Sequence, residues 1–174
     1  IQHASDRILK AMRPRSTSGS IRSTISRLKE AIPDIHIRTT FITGFPGETE
    51  DEFEETLSLA EAVGFDSAFT FLYSIRKGTP AEKYEDQIPE DIKHQRFNRL
   101  VEVINQSSAE KNRAYKGRIE TVLVDGPSKT GSTIYSGRTE SFKLVNFRAR
   151  PEMVGKLVSV KITDSNTFSL VGEV

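Results

Sequence analysis

Two groups of residues in this 174-residue chain have types and spacings suited to chemistry. The first is Gly44-Phe45-Pro46-Gly47-Glu48, which follows a β-branched and apolar run reaching back to Ile35. In a tight turn, Pro presets one dihedral and Gly supplies a positive one. Ligands bind at the carboxyl ends of parallel strands, in open α/β sheets and barrels alike, and glycines there let a ligand approach the backbone. The same spacing also fits a plain turn. Glu48 is of a type to bind a ribose hydroxyl or an amine, or to serve as a first-turn helix acid. Gln2 and His3 stand before a helix, where a strand would end; with a strand upstream they face the same edge. Phe71 belongs to the alternating trio Phe69, Phe71 and Tyr73, a pattern that usually means core.

The second group is Tyr135, Arg138, Phe142, Lys143, Asn146, Phe147 and Arg148, in which aromatics and cations interleave. Aromatics stack on unpaired bases while Lys and Arg hold phosphates. The other reading makes Phe142 and Phe147 core and leaves the charges as solvating groups.

Other chemistry is excluded. There are no cysteines, so disulfides, thiolate zinc sites, a cysteine nucleophile and a cysteine-held iron–sulfur cluster have no ligands in the chain. His3, His36 and His94 have no metal-binding spacing, and no P-loop, Ser–His–Asp set or paired-carboxylate site is apparent. A net charge of +1, with 36% hydrophobic and 28% charged residues, fits a packed core and neither a basic nucleic-acid tail nor an acidic solvating chain. No run of 18 apolar residues predicts a membrane span, and Ile1-Gln2-His3-Ala4-Ser5 has no signal-peptide character, so a cytoplasmic location is expected.

The elements that must position these residues follow from capping and periodicity. Ser5 or Asp6 caps a short helix through Met12, Pro14 and Gly19 mark a break, and a second helix runs from about Ser20 to Ala31 with Ile21, Ile25, Leu28 and Ile32 on one face. Arg7 to Lys29 is basic without an acid, the usual mark of a solvated helix face. Ile35–Phe45 reads as a buried strand. Thr49 and Glu52 form a capping box for a helix that ends near Gly64. Phe65–Ser74 reads as a second buried strand, Arg76–Pro80 as a loop, and Pro89 to about Tyr115 as a long helix with Phe97, Leu100, Val101 and Ile104 buried. Helices alternating with strands predict a parallel α/β arrangement. From Gly117 onward five short β runs suggest a small barrel: Arg118–Val124, Thr133–Thr139, Phe142–Phe147, Lys156–Ile162 and Thr167–Val171.

Several blocks, in order, resemble a known family. Gln2-His3-Ala4-Ser5-Asp6-Arg7-Ile8-Leu9-Lys10-Ala11-Met12, Gly44-Phe45-Pro46-Gly47-Glu48-Thr49, Tyr73-Ser74 with Gly78-Thr79-Pro80-Ala81, and Glu110-Lys111-Asn112 are similar to the radical S-adenosylmethionine methylthiotransferases. Gly137-Arg138-Thr139, Val145-Asn146-Phe147 and Ser169-Leu170-Val171-Gly172-Glu173 resemble that family's C-terminal TRAM domain. The resemblance implies an α/β fold: half of a partial parallel (β/α) barrel over residues 1–116, then a small all-β OB-like TRAM barrel over 117–174. It implies S-adenosylmethionine and two [4Fe–4S] clusters in the parent protein, with the cluster cysteines in segments before Ile1. One cluster binds and cleaves S-adenosylmethionine to a deoxyadenosyl radical. The other supplies or holds the sulfur of the methylthio group placed on an unactivated carbon. Residues 1–174 alone would then hold neither cluster and would not be catalytically competent; no catalytic residue and no metal ligand is assigned. Cofactor-wall roles fall to Gln2, Gly44, Gly47, Glu48 and Phe71, and RNA-binding roles to Arg138, Lys143, Asn146 and Arg148.

The family has a branch acting on the adenosine beside the tRNA anticodon and one acting on an aspartate of a small-subunit ribosomal protein. The stretch from Ile1 to about Glu50, with Arg38-Thr39-Thr40-Phe41, is more similar to the ribosomal-protein branch. Phe69–Ser74, Asp86-Gln87-Ile88-Pro89 and the barrel blocks are more similar to the tRNA branch. The expected partner is therefore the tRNA anticodon arm, with its prenylated adenosine as substrate. The alternatives are the ribosomal protein and a non-catalytic RNA-binding module; neither DNA nor membrane is expected.

Overall fold

The computed structural model describes residues 1–12, 15–129 and 133–174; Pro14, expected at a helix break, lies outside them. The chain divides into two compact units, Ile1–Ser107 and Ser108–Val174.

In the first unit, α1 spans Asp6–Met12 and α2 spans Ser18–Ala31. Gly19 does not break the chain. Thr17 caps α2 in a reciprocal box with Ser20, which starts the helix one residue before Gly19. The buried stripe of α2 is also shorter than expected. Ile21 and Ile25 are buried, whereas Leu28 is partly exposed and Ile32 has left helical geometry as the C-cap residue.

Strand β1 covers Arg38–Thr43, with Thr39, Phe41 and Thr43 buried on one face. It is shorter than the apolar run around it because Gly44, at φ +74°, ends it. Helix α3 (Glu50–Val63) begins at the Thr49–Glu52 capping box and ends on Gly64 in the left-handed region. Strand β2 (Ser67–Leu72) pairs parallel to β1, from Arg38↔Ser67 to Thr43↔Leu72. On the other edge of β1, Ile42 N donates to Gln2 O at 2.9 Å, so residues 1–2 run alongside it.

Strand β2 is not buried, contrary to expectation. Phe69 and Phe71 are 62% and 53% exposed. They share a face with Thr40 and Ile42 through the β1–β2 register, the side opposite the one that Phe41 buries. The core instead contains Phe41, Phe53, Phe65, Leu59 and Leu100, with Phe41 and Phe65 edge-to-face at 5.6 Å. A short 3₁₀ turn, Pro80–Lys83, precedes α4 (Glu90–Arg113). Leu100 and Ile104 of α4 are buried as expected, but Lys93 and Arg96 are buried in its first turns where Phe97 and Val101 are only half-buried.

The second unit is a closed barrel of β3 (Ile119–Pro127), β4 (Ile134–Thr139), β5 (Leu144–Arg148), β6 (Leu157–Ser165) and β7 (Leu170–Glu173). Its order is β3-β4-β5-β7-β6, antiparallel throughout except for the parallel pair β5–β7. Alternate residues point inward, and Val122, Val124, Tyr135, Val145, Phe147, Val160, Ile162 and Leu170 form the core. Gly137 sits where a Cβ would lie 2.4 Å from Leu123 O, so the strands close only with glycine there.

Candidate functional site

The turn after β1 has the geometry its sequence dictates. Glu48 N donates to Phe45 O at 3.0 Å, and Gly47 takes φ +74°. The turn aims the Glu48 side chain inward, where it is almost fully buried. Its carboxylate is fully engaged. Oε1 accepts from Arg96 Nη1 at 2.8 Å, and Oε2 accepts from Gly44 N at 3.0 Å and faces His3 Nε2 at 3.2 Å. Ser5 N donates to His3 Nδ1 at 3.0 Å, so the ring proton sits on Nε2 and points at Glu48. Arg96, from α4, also donates to the Glu48 carbonyl at 2.9 Å and through Nε to Glu50 Oε2 at 3.1 Å. Arg99, one turn on, bridges Glu50 and Glu54. The acidic start of α3 is thus matched by basic residues of α4, and the Arg99 and Arg96 hydrogen bonds hold the Glu50 carboxyl below its usual range against the effect of burial.

A second cluster lies alongside. Arg7 of α1 binds Glu52 through Nε at 2.7 Å and Nη2 at 2.5 Å, and Ser5 Oγ donates to Glu52 at 3.0 Å. Burial pushes the Glu52 carboxyl up, but hydrogen bonds from Arg7, the Thr49 backbone and Ser5, with the Arg7 charge, outweigh it and hold the group at about 2.

The two glycines of the turn make room for protein. A Cβ on Gly44 would lie 2.4 Å from Lys93 Cγ, and one on Gly47 would lie 2.1 Å from Asp86 Oδ2. Lys93 donates to Glu90 at 2.7 Å and to the Tyr73 carbonyl at 3.4 Å.

A pocket of about 540 Å³ opens on the exposed face of the sheet, lined by Gln2, Thr40, Ile42 and Phe71 among others. Its size is that of a small-molecule site. Gln2 and Phe71 line it; Gly44, Gly47 and Glu48 are not among its lining residues and shape the turn after β1. Lys93 and Arg96 are the residues that sequence reading missed. Their signal was the spacing Lys93, Arg96, Leu100, Ile104, which is one helix face, opposite five acids at the start of α3.

On the barrel, the β4–β5 register sets Arg138 beside Leu144, Asn146 beside Ser136 and Arg148 beside Ile134. Arg138, Asn146 and Arg148 therefore share the outer face, while Lys143 is largely buried at the turn before β5. Phe147 and Tyr135 are core. Phe142 is 55% exposed at φ +65°, with the Arg138 guanidinium 5.0 Å from its ring. Arg138 also approaches Asp125 at 3.6 Å. Leu123, Leu157, Phe142 and Arg138 line a shallow concavity of about 590 Å³. Among the described residues, no three acidic or histidine groups are placed to hold a metal ion. Among the described residues, no helix is long and apolar enough to cross a membrane.

Residues 1–60 match the model of the Radical SAM superfamily, and residues 113–174 match that of the TRAM domain. The chain is 56% identical over 173 residues to the tRNA-2-methylthio-N(6)-dimethylallyladenosine synthase of Clostridium botulinum (strain Okra / Type B1), which covers 99% of this chain and 38% of that protein. It is 51% identical over 174 residues to the protein of the same name from Clostridium novyi (strain NT), 38% of whose length is covered. The relative from Clostridium perfringens (strain SM101 / Type A) is also 51% identical, with 39% covered. The chain thus spans under two fifths of the length of these relatives. The strand-end turn lies within the residues that match the Radical SAM superfamily, and the closed five-stranded barrel lies within those that match the TRAM domain.

Proposed function

We propose that this chain is part of a tRNA methylthiotransferase that adds a methylthio group to the prenylated adenosine beside the anticodon. The observation that carries the reading is the 56% identity to a protein of that name over 99% of the chain. That similarity includes the N-terminal blocks from Gln2 to Glu50, which favours tRNA over the ribosomal-protein substrate. Residues 1–116 are assigned to the C-terminal part of the radical-SAM (β/α) domain and residues 117–174 to the TRAM domain. The assembly works where tRNA is, in the cytoplasm.

The pocket suits S-adenosylmethionine: it has small-molecule size, apolar walls in Ile42 and Phe71, polar groups in Gln2 and Thr40, and a buried Tyr73 hydroxyl without a hydrogen-bond partner among the described residues. When bound, that cofactor supplies homolytic chemistry at an unactivated carbon. The chain's own part is to hold and orient. Phe71 and Ile42 pack on the apolar body of the ligand and keep water from it. Gln2, tied to β1 through its carbonyl, offers its amide. Glu48, Gly44 and Gly47 shape the turn after β1. The [4Fe–4S] clusters of such chemistry find no thiolate ligand among these 174 residues, so no step is assigned to this chain through them. Arg138, Asn146 and Arg148, on the outer face of β4–β5, take the RNA backbone.

The test is anaerobic reconstitution of the intact protein with iron, sulfide, S-adenosylmethionine and a reductant. The substrates are a tRNA anticodon arm with prenylated adenosine and, in parallel, the small-subunit ribosomal protein. Mass spectrometry should find the methylthio group on the RNA. Addition to the protein, or to neither, would overturn the reading.

A further inference from the structure

The loop that leaves β2, Ser74 to Thr79, is fixed by its own hydrogen bonds. Arg76 O accepts from Thr79 N at 3.2 Å and from Thr79 Oγ1 at 2.7 Å. Gly78, at φ +84°, donates its amide to Glu82 at 2.7 Å, and Pro80 opens the 3₁₀ turn. Ile75, Arg76 and Lys77 are consecutive and exposed. The loop therefore presents Arg76 from a defined position at the rim of the pocket.

Among the described residues that line the pocket, Arg76 is the one charged side chain, and no carboxylate lines it. Arg7, Arg96 and Arg99 of the same unit are all held in ion pairs; Arg76 has none among the described residues. Tyr73, three residues earlier, also lines the pocket, and its hydroxyl is buried without a hydrogen-bond partner among the described residues. An unpaired guanidinium beside a largely neutral wall is a site for an anion, and the planar fork of arginine fits phosphate with two parallel hydrogen bonds.

We propose that Arg76 binds a backbone phosphate of the RNA strand beside the nucleoside brought to the mouth of this cofactor pocket. The proposal rests on the tRNA reading above. A carboxylate on a bound cofactor is the other source of negative charge. The phosphate is favoured because Arg76 stands exposed at the rim, where a solvent-facing guanidinium attracts a polyanionic chain. The contact gives the first unit its own hold on RNA, separate from that of the barrel.

The experiment uses the intact protein, a fluorescently labelled anticodon stem-loop RNA titrated by anisotropy across a salt series, and S-adenosylmethionine titrated by calorimetry. Arg76→Gln should weaken RNA binding about tenfold at low salt. It should also make the slope of log affinity against log salt shallower by about 0.7, one single-strand phosphate contact. Arg76→Lys should restore the slope and part of the affinity, and cofactor affinity should not move. Lys77→Gln, next door but off the pocket wall, should change RNA affinity little. An unchanged salt slope in Arg76→Gln, an equal loss in Lys77→Gln, or a loss in cofactor affinity alone would each overturn the assignment to a phosphate. Failure of the unaltered protein to bind RNA would overturn the tRNA reading, and this assignment with it. A variant that binds like the unaltered protein would remove this assignment alone.

Discussion

A single nitrogen of Arg96, Nη1, donates to both the carboxylate and the main-chain carbonyl of Glu48, at 2.8 and 2.9 Å. Forty-eight residues apart in sequence, the two side chains are almost entirely shielded from solvent. The pair fixes the strand-end turn to α4, and through His3 it fixes the segment that carries Gln2. Removing one partner of such a buried pair leaves an uncompensated charge and costs about 3–5 kcal/mol. Arg96→Ala should therefore lose stability of that order in urea unfolding, whereas exposed Arg22→Ala should change it by less than about 0.5 kcal/mol.

Acid stability should depend on Glu52. Its folded value, about 2, lies below the usual 4.5. A depressed carboxyl contributes stability that is fully present above the unfolded value and is lost as pH falls through the folded one. Melting temperature should thus fall between about pH 4.5 and pH 2, and Glu52→Gln should flatten that decline while lowering stability at neutral pH. Glu50, depressed by Arg99 and Arg96, adds in the same direction. A Glu52→Gln protein with an unchanged acid limb would refute the assignment.

Gly44 and Gly47 should not tolerate alanine. Each combines a positive φ with a neighbour inside 2.5 Å of the new Cβ. The backbone strain alone costs roughly 1–3 kcal/mol, and displacing Lys93 or Asp86 adds to it. Gly19→Ala is the control, since nothing lies within 4 Å and the helix should gain stability. Thermal melts of the three variants give the comparison.

The barrel cations divide by burial. Replacing Arg138 and Arg148 with alanine should flatten the salt dependence of RNA binding by roughly 1.4 in slope. Lys143→Ala should instead lower the melting temperature with little change in slope, because its stem is packed at the β4–β5 turn. A Lys143 effect equal to that of Arg138 would contradict the placement.

Local chemistry was legible in the residues. Thr49 and Glu52 announced their helix, Pro46-Gly47 its turn, and the alternation after Gly117 five strands of a barrel. What escaped was set by distant partners. Alternation of Phe69 and Phe71 reveals two faces of a strand but not which face has a cover. Arg96 reads as a solvated helix charge until Glu48 and Glu50 supply its carboxylates from more than forty residues away. Gly19 was misplaced because Thr17, a stronger local signal, started the helix before it. Glu48 stands out in the turn motif, but its inward aim depends on Arg96 and His3, which no local pattern connects to it.

The exposed aromatics have a measurable cost. β2 presents Phe69 and Phe71 beside an edge with no strand partner among the described residues. Such an edge invites pairing with another chain. Residues 1–174 in isolation should therefore associate with rising concentration in sedimentation experiments, and Phe69→Ser with Phe71→Ser should reduce that association. A monodisperse monomer with a cooperative melt would contradict it.

The barrel is closed by its last strand. β7 lies between β5 and β6, bonding parallel to one and antiparallel to the other, and Leu170 fills the core. The four preceding strands cannot form a sealed cylinder among themselves, because the gap between β5 and β6 is one strand wide. During synthesis on the ribosome the barrel must therefore stay open until Leu170–Glu173 has left the exit tunnel. A nascent chain stalled before that point should be cut readily by protease within β5 and β6, and become resistant only when Leu170–Glu173 emerge.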